Sequence, residues 1–214
     1  MKRTLKLLIF SDLFVLTGFG LVSPILAIFI KENIGATLAA VGIASTITIM
    51  IRCSLQLLFG FFAKAKHRYY MAVCGTLLIA SVPFLYFFAE NLTWIYVAAT
   101  INGIGAGLAN PAWFSLFAGN LDKNRRGWEW SIYSSSVGFG TAFAALGGSA
   151  LAGKIGFRPV FLIVGILCLV GCGILLQLFA KEHRKERQAD CKETHEIVSA
   201  KIKLNQNPLH AFHH

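Results

Sequence analysis

Six apolar runs of about twenty residues or more, each nearly free of charge along its middle, leave this chain one kind of environment in which to fold. They extend approximately over residues 7–30, 34–62, 69–89, 92–117, 128–153 and 157–180. At the helical rise of about 1.5 Å per residue, each can cross a hydrocarbon core of roughly 30 Å. Inside that core every backbone polar group must be satisfied within the segment, so the runs are read as helices. Composition agrees: 56% hydrophobic residues, 14% charged residues and a mean hydropathy of +0.63 exceed what a water-facing surface carries. The fold class is all-α, a polytopic membrane protein with six transmembrane helices over residues 1–182. A polar tail over residues 183–214 is expected to be disordered or marginally helical.

Charge sets the expected orientation. Apart from Asp12, Arg52 and Glu129, every Lys, Arg, Asp and Glu lies at the edge of an apolar run or after Ala180. The cations cluster at Lys2 to Lys6, Lys64 to Arg68, Lys123 to Arg126 and Lys181 to Arg187, and only Lys31, Lys154 and Arg158 fall on the opposite side. Cytoplasmic loops carry the excess of Lys and Arg, which puts both termini in the cytoplasm. An even number of spans independently requires the two termini to share a side. The N-terminal run, with its basic start, has the look of a secretory signal. It is too long for one and no small-x-small cleavage pattern follows it.

Several chemistries find no support. The net charge of +10 sits in short clusters without a recognition stripe or a stacking platform, so nucleic acid is not an expected partner. Five cysteines, an odd number, lack close-paired ligand spacing, and Cys168 and Cys172 read as small packing residues. His210, His213 and His214 stand without thiol or carboxylate partners, so no metal site is assigned. No cofactor is expected either. Gly103-Ile-Gly105-Ala-Gly107 lies at membrane depth, where glycines serve close helix packing rather than a dinucleotide. The Asn91-Leu-Thr93 sequon lies too near the bilayer to weigh. Hydrolase, metalloprotease and phosphate-loop signatures are all missing, and the chain is not read as an enzyme.

What remains is a small set of polar groups inside the runs. Asp12 lies six residues past Lys6, about 9 Å into the first helix. Arg52 lies ten residues before Phe62, about 15 Å from the end of the second, with Gln56 one turn further on the same face. Ionisable groups at such depth are costly unless they face protein or water. Asp12, Arg52 and Gln56 are therefore expected to form a pair or triad in a cytoplasm-facing cavity. Two roles satisfy that electrostatics: a substrate or proton site in which protonation of Asp12 loosens Arg52, or an ion pair that holds two helices in register. In the fourth helix Asn102, Asn110, Pro111 and Trp113 supply amides, a helix break and an aromatic surface, which suits a cavity wall as well as ordinary packing. Glu129, Trp128 and Trp130 mark the inner interface.

The order of local motifs resembles the N-terminal six-helix half of a major facilitator superfamily transporter, in its drug-efflux branch. The pieces are Thr17-Gly-Phe-Gly-Leu-Val-Ser-Pro24, Asn102 through Ala112, Asn124-Arg-Arg-Gly127 with Gly147-Gly148, and Gly156-Phe-Arg158-Pro-Val-Phe161. Departures accompany them. Of the family's loop between the second and third helices only Gly60 and Arg68 persist, with Lys64 where an acid belongs, Ala99 replaces the fourth-helix arginine, and Ala144-Ala145 replaces a Gly-Pro step.

The resemblance implies half of a major facilitator fold that moves a small organic solute across the bilayer by alternating access, as a homodimer or with a second transporter half. Its expected location is the plasma membrane. A non-transporting scaffold, an accessory subunit or a truncated remnant is the alternative.

Overall fold

In a computed structural model the six runs form α1 (Arg3–Glu32), α2 (Leu38–Phe62), α3 (Arg68–Phe87), α4 (Leu92–Asn120), α5 (Arg126–Ile155) and α6 (Phe157–Asn205). The structure describes the backbone of residues 3–62 and 68–205 and the side chains of residues 4–61 and 68–181. Among the described residues there is no strand, and each helix contains a stretch long and apolar enough to cross a membrane. The all-α class expected from the sequence is the one observed. By its contacts the chain divides into two units. Met1–Leu176 holds α1 to α5 and the first part of α6, and Gln177–His214 contains the rest of α6 as far as Asn205.

Helix ends depart from the apolar runs where local chemistry intervenes. The second helix starts at Leu38 rather than Ile34, because Gly35 takes a left-handed φ of +70° and the Ala36 N–H turns back to the Ile30 carbonyl at 3.1 Å. Asn91, the sequon residue, caps α4: its side-chain oxygen accepts the Trp94 N–H at 3.3 Å. The break expected at Pro111 does not occur. α4 continues through it to Asn120, although Pro111 has no N–H to give the Gly107 carbonyl.

Lipid supplies no hydrophobic drive between helices, so close packing must hold them together. Along α4, Gly103 and Gly107 turn toward α2, where an added Cβ would meet the Thr48 carbonyl at 2.9 Å and the Leu55 Cβ at 2.7 Å. Gly105 turns the other way, onto Gly75 and Ile79 of α3. The three glycines thus seat α4 between two neighbours, parallel to α2 and antiparallel to α3. α1 is held similarly. It runs parallel to α5, with Gly20 on Thr141 and Gly148 on Leu21, and antiparallel to α6, where Ser11 Oγ donates to the Gly171 carbonyl at 2.7 Å. Near the far end of α1, Phe29 meets Phe161 edge to face at 5.1 Å and Tyr86 packs on the same ring at 5.6 Å, joining α1, α6 and α3.

Candidate functional site

A cavity of about 320 Å³ opens between α1, α2, α3, α4 and α5. Its position follows from the close contacts just described. Thr48 Oγ1 donates to the Ala99 carbonyl at 3.1 Å and fastens α2 to α4 one turn before Arg52, which therefore faces the cavity. Ser11 spends its hydroxyl on α6, and the next residue, Asp12, turns into the cavity from α1. α4 contributes Asn102, Asn110, Trp113 and Phe114, and α5 contributes Tyr133. Val15, Leu16, Phe19 and Ile79 supply apolar wall.

Five of the six expected site residues line this one space: Asp12, Arg52, Asn102, Asn110 and Trp113. Gln56 does not. It shares a helix face with Arg52 and lies one turn further along α2, past the residues that line the cavity. The expected pairing also differs. Asp12 and Arg52 share the cavity without forming an ion pair, and the Asp12 carboxylate instead accepts the Tyr133 hydroxyl at 2.6 Å. The partner lies on α5 because α1 packs along α5, which brings residues 121 apart in sequence into contact.

Sequence reasoning missed Tyr133. One signal could have found it: a buried tyrosine hydroxyl needs a hydrogen-bond partner, and Asp12 is the one carboxylate deep in a run. Tyr133 is also part of an aromatic wall. Trp113 stacks on Phe117 at 4.9 Å and 15°, tilts against Tyr133 at 4.9 Å, and Trp130 closes on Phe117 and Tyr133 from outside. Within this wall the Trp113 Nε1–H is buried and meets no acceptor among the described residues. A buried donor left unmatched costs roughly 1–3 kcal/mol, which favours a bound acceptor or water beside it.

Glu129, expected at the inner interface beside Trp128 and Trp130, is 2% exposed. One carboxylate oxygen accepts the Asp122 backbone N–H at 2.9 Å, so the side chain ties the α4–α5 connection to the first turn of α5. Trp128 and Trp130 remain exposed as interface residues would. Of the loop remnant, Gly60 lies in the last turn of α2 with open space around it, Arg68 opens α3, and Lys64 falls outside the described residues.

The site combines a carboxylate held by a phenol, a guanidinium, two amides and an unmatched indole donor on a largely apolar wall. Such a surface can hold an amphipathic solute through a few placed polar contacts, and its carboxylate can take or release a proton.

Known proteins place this architecture. The Citrobacter koseri "Multidrug resistance protein MdtG" is 29% identical over 174 residues, covering 78% of this chain and 42% of the relative. The Proteus mirabilis protein of the same name is 24% identical over 204 residues, 93% of this chain and 50% of the relative. A "Na(+), Li(+), K(+)/H(+) antiporter" from Planococcus maritimus is 26% identical over 187 residues, 85% of this chain and 43% of its own. The chain thus spans about half the length of the curated relatives it matches. Among solved structures, a peptide transporter of the POT family in complex with alafosfalin superposes with a TM-score of 0.74 at 15% identity, covering 94% of this chain and 46% of that one. PepTSo gives 0.71 at 18% identity, 83% and 37%. These solved structures speak for the fold alone. The family profile described as Major Facilitator Superfamily matches residues 8–210, and the chain belongs to that superfamily of membrane transporters.

Proposed function

We propose that this chain provides one six-helix half of a transporter that moves a small organic solute across the plasma membrane by alternating access. The observation that carries the reading is the cavity itself, where Asp12 and Tyr133 face Arg52, Asn102, Asn110 and Trp113 at membrane depth. Charged and amide groups are expensive in hydrocarbon and are kept where they do work on a solute or ion. Two MdtG relatives named for multidrug resistance support efflux as the direction of transport. The relatives' length supports a second half, supplied by another copy of this chain or by another segment. Both ends of the six-helix domain, including residues 183–214, face the cytoplasm in this reading.

Asp12 is the proton-responsive group of the site. Its carboxylate takes the Tyr133 hydroxyl when ionised; protonated, it no longer demands that donor, and Tyr133 can turn to solute. Gating by this exchange replaces the direct Asp12–Arg52 switch expected from sequence.

Purified protein in liposomes tests the proposal with a panel of small organic cations, anions and zwitterions under opposed pH gradients. Flux of at least one class, lost in Arg52→Gln and stripped of its pH dependence in Asp12→Asn, is the expected result. Absence of flux for every solute under every gradient, from folded protein whose chain number has been counted by cross-linking, would favour the scaffold reading instead.

A further inference from the structure

A second concavity lies on the opposite side of α1. Phe10, Leu13 and Thr17 of α1 face Ser136, Gly140 and Phe143 of α5 across an apolar groove of about 490 Å³. A smaller hollow of about 170 Å³ continues it past Phe10, Leu13 and Ser136 to Lys6. At 3.6 residues per turn, these α1 positions lie on the helix face roughly opposite Asp12, Leu16 and Phe19. The groove therefore looks away from the solute cavity. Its flanking rings stand well out, Phe10 at 55% and Phe143 at 73% exposed, and Gly140 seats α5 against Thr17 and Leu13 without a side chain of its own to fill the space.

Two properties decide what fits. The first is length: from Lys6 to Thr17 is about 16 Å along the helix, close to the roughly 15 Å depth of one leaflet's hydrocarbon. The second is charge. The groove is apolar along its length, no carboxylate lines either part, and the exposed Lys6 stands at the end nearest the N-terminus. Lys2 and Arg3 precede it in sequence. A cation at the headgroup end of a leaflet-deep apolar groove is complementary to a lipid with an anionic headgroup.

We propose that the α1–α5 groove binds one acyl chain of an anionic phospholipid from the leaflet on the N-terminal side, with Lys6 taking the phosphate. The lipid fills the seam behind the Asp12–Tyr133 contact and braces α1 against α5 from the bilayer side. This site is separate from the solute path and stands whether or not the solute reading holds.

Native mass spectrometry of the delipidated full chain, titrated with phosphatidylglycerol or phosphatidylcholine of the same acyl composition, tests it. The wild type should retain phosphatidylglycerol roughly fivefold better, the advantage of one lysine near an anionic headgroup. Lys6→Gln should bring the two lipids level. Ser136→Phe, which obstructs both parts of the groove, should lose both. Equal retention of the two lipids by the wild type, or an unchanged preference in Lys6→Gln, overturns the proposal. So does wild-type retention by a folded Ser136→Phe. Should circular dichroism show that Ser136→Phe is unfolded, the Lys6→Gln comparison decides by itself, because its side chain is exposed and outside the packed seam.

Discussion

Gly75→Ala is the sharpest test of how the helices are held. A Cβ at position 75 would stand 2.5 Å from the Ala109 nitrogen, 2.6 Å from the Gly105 carbonyl oxygen and 2.8 Å from the Ala109 Cβ. None of these can rotate away, since two are backbone and the third is fixed to it. The shortest contact falls roughly 0.9 Å below ordinary van der Waals separation, so α3 and α4 must move apart by nearly that much. In a helix interior, replacing Gly by Ala ordinarily gains about 0.5–1 kcal/mol. Forcing a methyl into a packed contact costs about 1–3 kcal/mol and here outweighs that gain. Gly42→Ala is the matched control, being helical with nothing within 4 Å of the added Cβ. Thermal unfolding in detergent, followed by size-exclusion chromatography, should show Gly75→Ala melting roughly 2–8 °C below wild type, with Gly42→Ala equal or higher. The neighbouring cavity residues Thr76 and Ile79 should shift with α3. Equal melting of the two variants would refute glycine-limited packing at this crossing.

Other contacts make similarly direct predictions. Tyr133→Phe removes the donor from Asp12 and should destabilise the protein by about 1–3 kcal/mol, read by the same melting assay; a smaller loss in Asp12→Asn, which keeps an acceptor for the hydroxyl, separates the hydrogen bond from the charge. Thr48→Val should cost about 0.6–1.7 kcal/mol by unfastening α2 from the Ala99 carbonyl, with no loss expected for Thr46, whose hydroxyl serves its own helix. Glu129→Ala frees the Asp122 amide, and hydrogen exchange at that amide should quicken while exchange in α4 stays as it was.

Much of the fold was legible because the bilayer constraint acts along the chain one segment at a time. Length, apolarity and the absence of mid-run charge identify a span without reference to any other span. The glycine run in α4 was also readable as a packing surface, although its division between α2 and α3 was not, since alternate glycines face different neighbours. For the cavity, residue type and depth along a helix were enough to pick out five lining residues, Asp12, Arg52, Asn102, Asn110 and Trp113. Gln56 lies on the face of α2 that carries Arg52 but one turn beyond the lining, because where the cavity ends is set by the neighbouring helices and not by α2 itself.

By itself, then, the sequence determined how many times the chain crosses, where each crossing begins to within a few residues, and which polar groups would be costly enough to need company. Tertiary packing alone decided the company. Asp12 meets Tyr133 rather than Arg52, and Glu129 is buried against the Asp122 amide, because such partners are set by close contacts between helices and connections that the pattern along one run does not contain. The same contacts leave one face of the α1–α5 seam on the cavity that holds Asp12 and Arg52 and the other on an apolar groove, a division that composition along either helix could not reveal.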